Sequence, residues 1–181
     1  MNSRVLVVFF FVVFLMFGSR VSIDLPHELS DIPFTLQSLV VFLAASFLTP
    51  IEFILAITFY LFMGIIGLPV FAEGTSGWEK ITGNSGGFLI GFIFSGWWIS
   101  AYFKGKNDKI AWFSLANLYL QATIVLFFFG LLQLSIKLGV GSAFENGFLP
   151  YWKMSLFKAL IASIIVYYLR PRFKIIGSEE L

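Results

Sequence analysis

The chain has 181 residues, 59% of them hydrophobic and 12% charged, about half the roughly 25% charged share of soluble domains. So many apolar side chains cannot be hidden beneath a polar surface, which excludes a water-soluble fold and defines an integral membrane protein. A net charge of +2 without a dense basic run speaks against nucleic-acid binding, and the lack of cysteine excludes disulfides, thiol nucleophiles and thiolate metal sites. The single histidine, His27, has no second ligand-type residue at helical spacing and reads as a solvated loop residue.

Hydrophobic segments fall at about residues 5–19, 36–49, 51–68, 87–103, 110–134 and 153–169, followed by a short tail at 170–181. A full helical span needs about 20 apolar residues. The fifth segment meets this; shorter ones can be completed by polar residues that face protein or a cavity. None alternates with period two, which speaks against a β-barrel. The predicted fold is all-α: one domain, a bundle of six transmembrane helices with both termini cytoplasmic.

Segment one has the outline of a cleavable signal peptide, with Arg4, an apolar run and Gly18-Ser19. It carries five phenylalanines, however, and Arg20 follows at once without a small-x-small cleavage site. Segment two opens on "IPFTLQSL", Ile32 to Leu39. Polar residues there either cap the helix and bond neighbouring helices or line a cavity. Thr49-Pro50 marks a tight turn into segment three, because proline removes a backbone donor and restricts the residue before it. The connection to segment four, "GLPVFAEGTSGWEKITGNSGGFLIG" from Gly67, is rich in glycine, which permits positive φ and close approach to a ligand. Gly86-Gly87 would present backbone N–H groups at a helix start, where polar or anionic groups bind; the other reading is a flexible outer loop. No phosphate-binding loop of the G-x-x-x-x-G-K-[ST] type occurs.

Lysine and arginine set the orientation. A cytoplasmic N-terminus places Arg4, Lys104, Lys106, Lys109, Arg170, Arg172 and Lys174 inside, against Arg20, Lys80, Lys137 and Lys153 outside. The long connections then face outward, which assigns function to the outer face. Lys158 lies about one turn inside segment six. Intramembrane charges are costly and tend to face cavities, although a lysine near a helix end can also snorkel to the interface.

"PFTLQSL" from Pro33, "GLPVFAEG" from Gly67 and "GGFLIGF" from Gly86, with Pro150 and Lys158 near the last segment, resemble the BioY family. These are the biotin-binding membrane subunits of energy-coupling-factor vitamin transporters. The resemblance runs from about Arg20 to Arg170. It implies a six-helix substrate-capture subunit of a prokaryotic plasma membrane, taking biotin from outside, with no cofactor and no ATPase of its own. The implied partners are a transmembrane coupling subunit and two cytoplasmic ATPases.

The chemistry of biotin then suggests roles. Its carboxylate needs a cation or a helix N-terminus, for which Lys158 is the candidate. Its ureido ring suits Asn84, Ser85, Gln37 and Thr35. Its thiolane and valeryl chain need apolar walls, for which Phe34, Phe71, Trp78 and Phe88 are available, with anchoring at the lipid interface as the other reading of the aromatics. Two departures from the family pattern bear on the ligand. Gly83-Asn84-Ser85-Gly86-Gly87-Phe88 stands where the family usually has Gly-Pro-Thr-Gly-Gly-Tyr, so a phenolic hydroxyl is lost and an amide gained. Ser155 stands where the family often has an aspartate, removing an acceptor that Asn84 would replace. Another small carboxylated heterocycle is therefore the alternative ligand. The first segment also lacks the alanine pattern with which such subunits often dock; Ala159 and Ser163 offer that spacing.

Two other classes of function remain for comparison. A lipid enzyme needs paired acids, a histidine cluster or an activated nucleophile, and the apolar spans supply none. A packing scaffold would tolerate loss of Lys158 and leaves the glycine-rich connection unexplained.

Overall fold

The computed structural model describes residues 3–23, 34–106 and 110–172. His27, Pro33, Lys109 and Lys174 lie outside the described residues. Helix α1 (Ser3–Arg20) leads into β1 (Ser22–Ile23), which pairs antiparallel with β2 (Phe34–Thr35). This small pair was not foreseen in an all-helical reading; it joins the end of α1 to the start of α2 (Gln37–Phe47). Then follow α3 (Pro50–Ile65), a 3-10 turn at Ala72–Gly74, α4 (Trp78–Thr82), α5 (Gly86–Phe103) and α6 (Trp112–Leu138). The chain closes with α7 (Val140–Ala143), a π-helical turn at Phe144–Phe148 and α8 (Trp152–Leu169).

Among the described residues, α5, α6 and α8 are long and apolar enough to cross a bilayer, and α2 and α3 are shorter apolar helices. Helix α6 continues to Leu138, four residues beyond the apolar segment that ends at 134. Polar Gln133 does not end it, because its amide donates to the carbonyls of Ile81 (2.9 Å) and Gly83 (2.7 Å) across the bundle. Polar side chains bonded in this way satisfy the rule that buried polar groups need partners.

The Thr49-Pro50 turn is built as a capping box. Thr49 Oγ1 accepts from the Glu52 N–H (3.4 Å), Glu52 Oε2 accepts from the Thr49 N–H (2.9 Å), and Pro50 takes the first helical position, where its missing N–H costs no bond. Glu52 also pairs with Arg4 at 3.2 Å, tying the starts of α1 and α3 together.

Helix α5 packs against α6, α2 and α3, while α8 packs against α6 and α2. The α5–α6 approach is close because Gly87 and Gly91 lie four residues apart, with buried Ser95 one step further on. A Cβ on Gly87 would fall 2.8 Å from Gln133 Cβ and 3.0 Å from Gly130 Cα, and one on Gly91 3.0 Å from the Leu126 carbonyl oxygen. Small residues at this spacing are how helices pack tightly in lipid, where no hydrophobic force drives them together. The glycines at 86 and 87 therefore serve helix packing: the Gly86 N–H donates to the Gly83 carbonyl at 3.2 Å, and both residues are buried against neighbouring segments.

Chain direction collects Arg4, Glu52, Lys104, Lys106 and Arg170 at one end of the bundle. There the buried Arg170 guanidinium donates to the carbonyls of Ser46 (3.2 Å) and Lys106 (2.9 Å) and lies 4.1 Å from the centre of the Phe103 ring. The opposite end holds the cavity.

Candidate functional site

The starts of α2, α5 and α8 converge with β2, the middle of α6, the 66–77 connection and α4. Between them lies a cavity of about 790 Å³, counting the open space at its mouth. One part of the wall is apolar, with Phe71, Phe88, Leu89, Phe92, Leu126 and Phe127. The polar side chains on it are Thr35, Gln37 and Ser38 from β2 and α2, Tyr151, Ser155 and Lys158 at and within the start of α8, and Thr75, Lys80 and Ser85 between α3 and α5. A mainly apolar enclosure with a few placed polar groups is suited to an amphipathic small molecule.

Lys158 is 6% exposed and does not snorkel. Its ammonium donates to the Thr35 carbonyl at 2.6 Å and to Ser38 Oγ at 3.1 Å, holding the start of α8 against β2 and α2. The polar start of α2 is thus part of the wall. Thr35 Oγ1 also accepts the Gln37 N–H at 3.3 Å, so the same residues order the helix entry.

A second chain of bonds positions the apolar wall. Gln37 Nε2 donates to the Tyr60 hydroxyl (2.8 Å), which donates to the Val70 carbonyl (2.7 Å). Ser19 Oγ also lies 2.7 Å from that carbonyl, and the Arg20 guanidinium donates to the Pro69 carbonyl at 2.7 Å. Residues of α1, α2 and α3 therefore fix the backbone beside Phe71, whose ring packs edge-on to Tyr60 at 5.8 Å. Tyr60→Phe is expected to cost about 1–3 kcal/mol of stability, since it leaves the buried Gln37 amide short of a partner. Thermal unfolding in detergent checks this, and an unchanged midpoint would show that the relay does not hold the connection in place.

Seven residues singled out from sequence line the cavity: Thr35, Gln37, Phe71, Ser85, Phe88, Ser155 and Lys158. Asn84, Gly86 and Gly87 sit beside it without lining it, and Trp78 is 61% exposed on the outer side of α4. The side chain of Phe34 lies outside the described residues. Sequence reading missed Ser38, Thr75, Lys80 and Tyr151. Ser38 follows Gln37 in the motif already quoted and was within reach; Lys80 entered the sequence reading only as a charge on the outer face.

Helices with an amphipathic cavity at one end and a buried lysine in its wall have the makeup of a membrane protein with a small-molecule site. The sequence profile of the BioY family matches residues 2–175, and the chain belongs to that family. It is 30% identical over 156 residues to the biotin transporter BioY of Thermotoga maritima, covering 86% of this chain and 88% of that one. It is also 30% identical to the probable biotin transporter BioY of Pyrococcus horikoshii, covering 90% and 93% of the two chains. The crystal structure of the S-component for biotin from an ECF-type ABC transporter shares the fold, with a TM-score of 0.82 and 24% identity over 93% of this chain and 90% of that one.

Proposed function

We propose that this protein captures biotin in the cavity for uptake across a prokaryotic plasma membrane. It would act as the substrate-binding subunit beside a transmembrane coupling subunit and two cytoplasmic ATPases. The observation that carries this reading is the Lys158 ammonium, buried in the wall of a largely aromatic cavity in a chain whose relatives are biotin transporters. Lys158 takes the carboxylate. Gln37, Ser85 and Ser155 face the ureido ring, and Phe71 and Phe88 enclose the thiolane and valeryl chain. The chain crosses the membrane six times with both termini inside. In support, Arg4, Lys104, Lys106, Arg170 and Arg172 gather at the end opposite the cavity, as the positive-inside rule requires when the cavity opens outward.

Equilibrium binding of radiolabelled biotin to the detergent-purified protein tests the reading. Saturable binding displaced by unlabelled biotin is the expected result. Folded protein that does not bind would overturn it and turn the search to other small carboxylated heterocycles, the direction in which Ser155 departs from the family's aspartate.

A further inference from the structure

We propose that the end of the bundle opposite the cavity holds the phosphate group of an anionic phospholipid, anchored by the Arg170 guanidinium. Arg170 is 8% exposed, and arginine is seldom buried so far without a counter-charge. Its Nε donates to the Ser46 carbonyl (3.2 Å) and its Nη1 to the Lys106 carbonyl (2.9 Å), with the Phe103 ring centre 4.1 Å from the guanidinium carbon. Ser46 lies in the last turn of α2, where carbonyls lack a partner within the helix, so joining helix ends explains Nε and Nη1. It does not explain Nη2, which is buried and has no hydrogen-bond partner. Nor does a described carboxylate pair with the guanidinium, because Glu52, the described acid at this end, is bonded to Arg4 at 3.2 Å.

Arg170 lines a cleft of about 280 Å³, counting the open space at its mouth, together with Phe103, Ile110, Leu115, Val166 and Tyr167. The arginine supplies the charge of this wall and its neighbours are apolar or aromatic. A free phosphate ion would gain nothing from such neighbours, whereas the glycerol and acyl roots of a lipid would be covered by them. The position fits a headgroup as well. Arg170 directly follows α8, a helix long and apolar enough to cross a bilayer, so the cleft stands where hydrocarbon gives way to headgroups. Lys104, Lys106 and Arg172 are exposed at the same end, and basic residues beside membrane helices draw anionic lipids to the surface. An arginine donor to a phosphate oxygen is a charge-assisted hydrogen bond, stronger than its neutral counterparts.

The test follows lipid retention by native mass spectrometry, and the thermal unfolding midpoint, for the full-length protein in neutral detergent. Phosphatidylglycerol, phosphatidylcholine or inorganic phosphate is added at equal concentration. Phosphatidylglycerol is expected to stay bound and raise the midpoint, and the other two are not. Arg170→Gln is expected to weaken phosphatidylglycerol by about tenfold, the scale of a lost hydrogen bond to a charged group, and to leave phosphatidylcholine unchanged. That variant also gives up the bonds to Ser46 and Lys106, so Ile110→Trp serves beside it. The larger ring fills the cleft, leaves the Arg170 side chain in place and should lose phosphatidylglycerol in the same way. Equal retention of the two lipids would show ordinary solvation by lipid, and equal protection by inorganic phosphate would show a free-anion site. An Arg170→Gln protein that melts earlier but keeps wild-type lipid binding would leave the arginine as a link between helix ends. Each of these three results overturns the proposal, and none of them bears on biotin.

Discussion

Lys158→Ala is expected to weaken biotin binding by about a hundredfold, because truncating one member of a buried, hydrogen-bonded charge pair costs about 2–5 kcal/mol and each 1.4 kcal/mol is about tenfold. The variant has a second consequence. The ammonium also donates to the Thr35 carbonyl (2.6 Å) and Ser38 Oγ (3.1 Å), so alanine leaves buried acceptors short of a donor at about 1–3 kcal/mol. Part of any loss could then come from a loosened junction between β2 and α8. Biotin's primary amide separates the two effects: a lost charge contact penalises the acid alone, and a loosened wall penalises both ligands. Lys158→Arg should not rescue binding fully, since a planar guanidinium cannot place its donors where a compact ammonium does. Acid and amide losing equally would show that Lys158 holds the fold at this point and does not recognise the carboxylate.

Gly86→Ala should cost about 1–3 kcal/mol, the usual penalty of overpacking, although it adds a single methyl group. At an exposed helix position the same change would gain about 1 kcal/mol from helix propensity. Here the new Cβ would overlap the Ile81 carbonyl and lie 2.6 Å from Gln133 Nε2. A backbone carbonyl cannot turn aside as a flexible side chain can. Either α4 moves off the bundle or the Gln133 clamp opens, and both outcomes disturb Lys80 and Ser85 on the cavity wall. A lowered unfolding midpoint in detergent together with weaker biotin binding is the expected pair of results. Gly141→Ala serves as the control, because no heavy atom lies within 4 Å of its added Cβ. If the two alanine variants melt alike, the α4–α5 junction is looser than its geometry implies.

Much of the cavity was legible in a few short motifs. The "PFTLQSL" stretch contributes Thr35, Gln37 and Ser38, and the "GLPVFAEG" stretch contributes Phe71 and Ala72. Lys158 stood out because a cation inside an apolar segment demands a partner or a cavity. Other residues singled out from sequence lie off the cavity wall for identifiable reasons. Gly86 and Gly87 have the composition of a ligand loop, but their missing side chains admit α4 and α6. Trp78 has the size of a pocket wall and faces outward, while Lys80, two residues on in the same short helix, faces in. Gln133, which sequence reading did not single out, is the clamp on α4.

Local composition by itself determined that the chain lives in a membrane, where its apolar segments lie and which polar residues are costly enough to need a reason. These are sums over neighbouring residues, so no fold is needed to read them. Which polar residues share one cavity was decided by the tertiary structure. Helix rotation and loop placement depend on contacts between residues far apart in the chain: Gln37 with Tyr60 across 23 positions, Gln133 with Ile81 across 52, and Lys158 with Thr35 across 123.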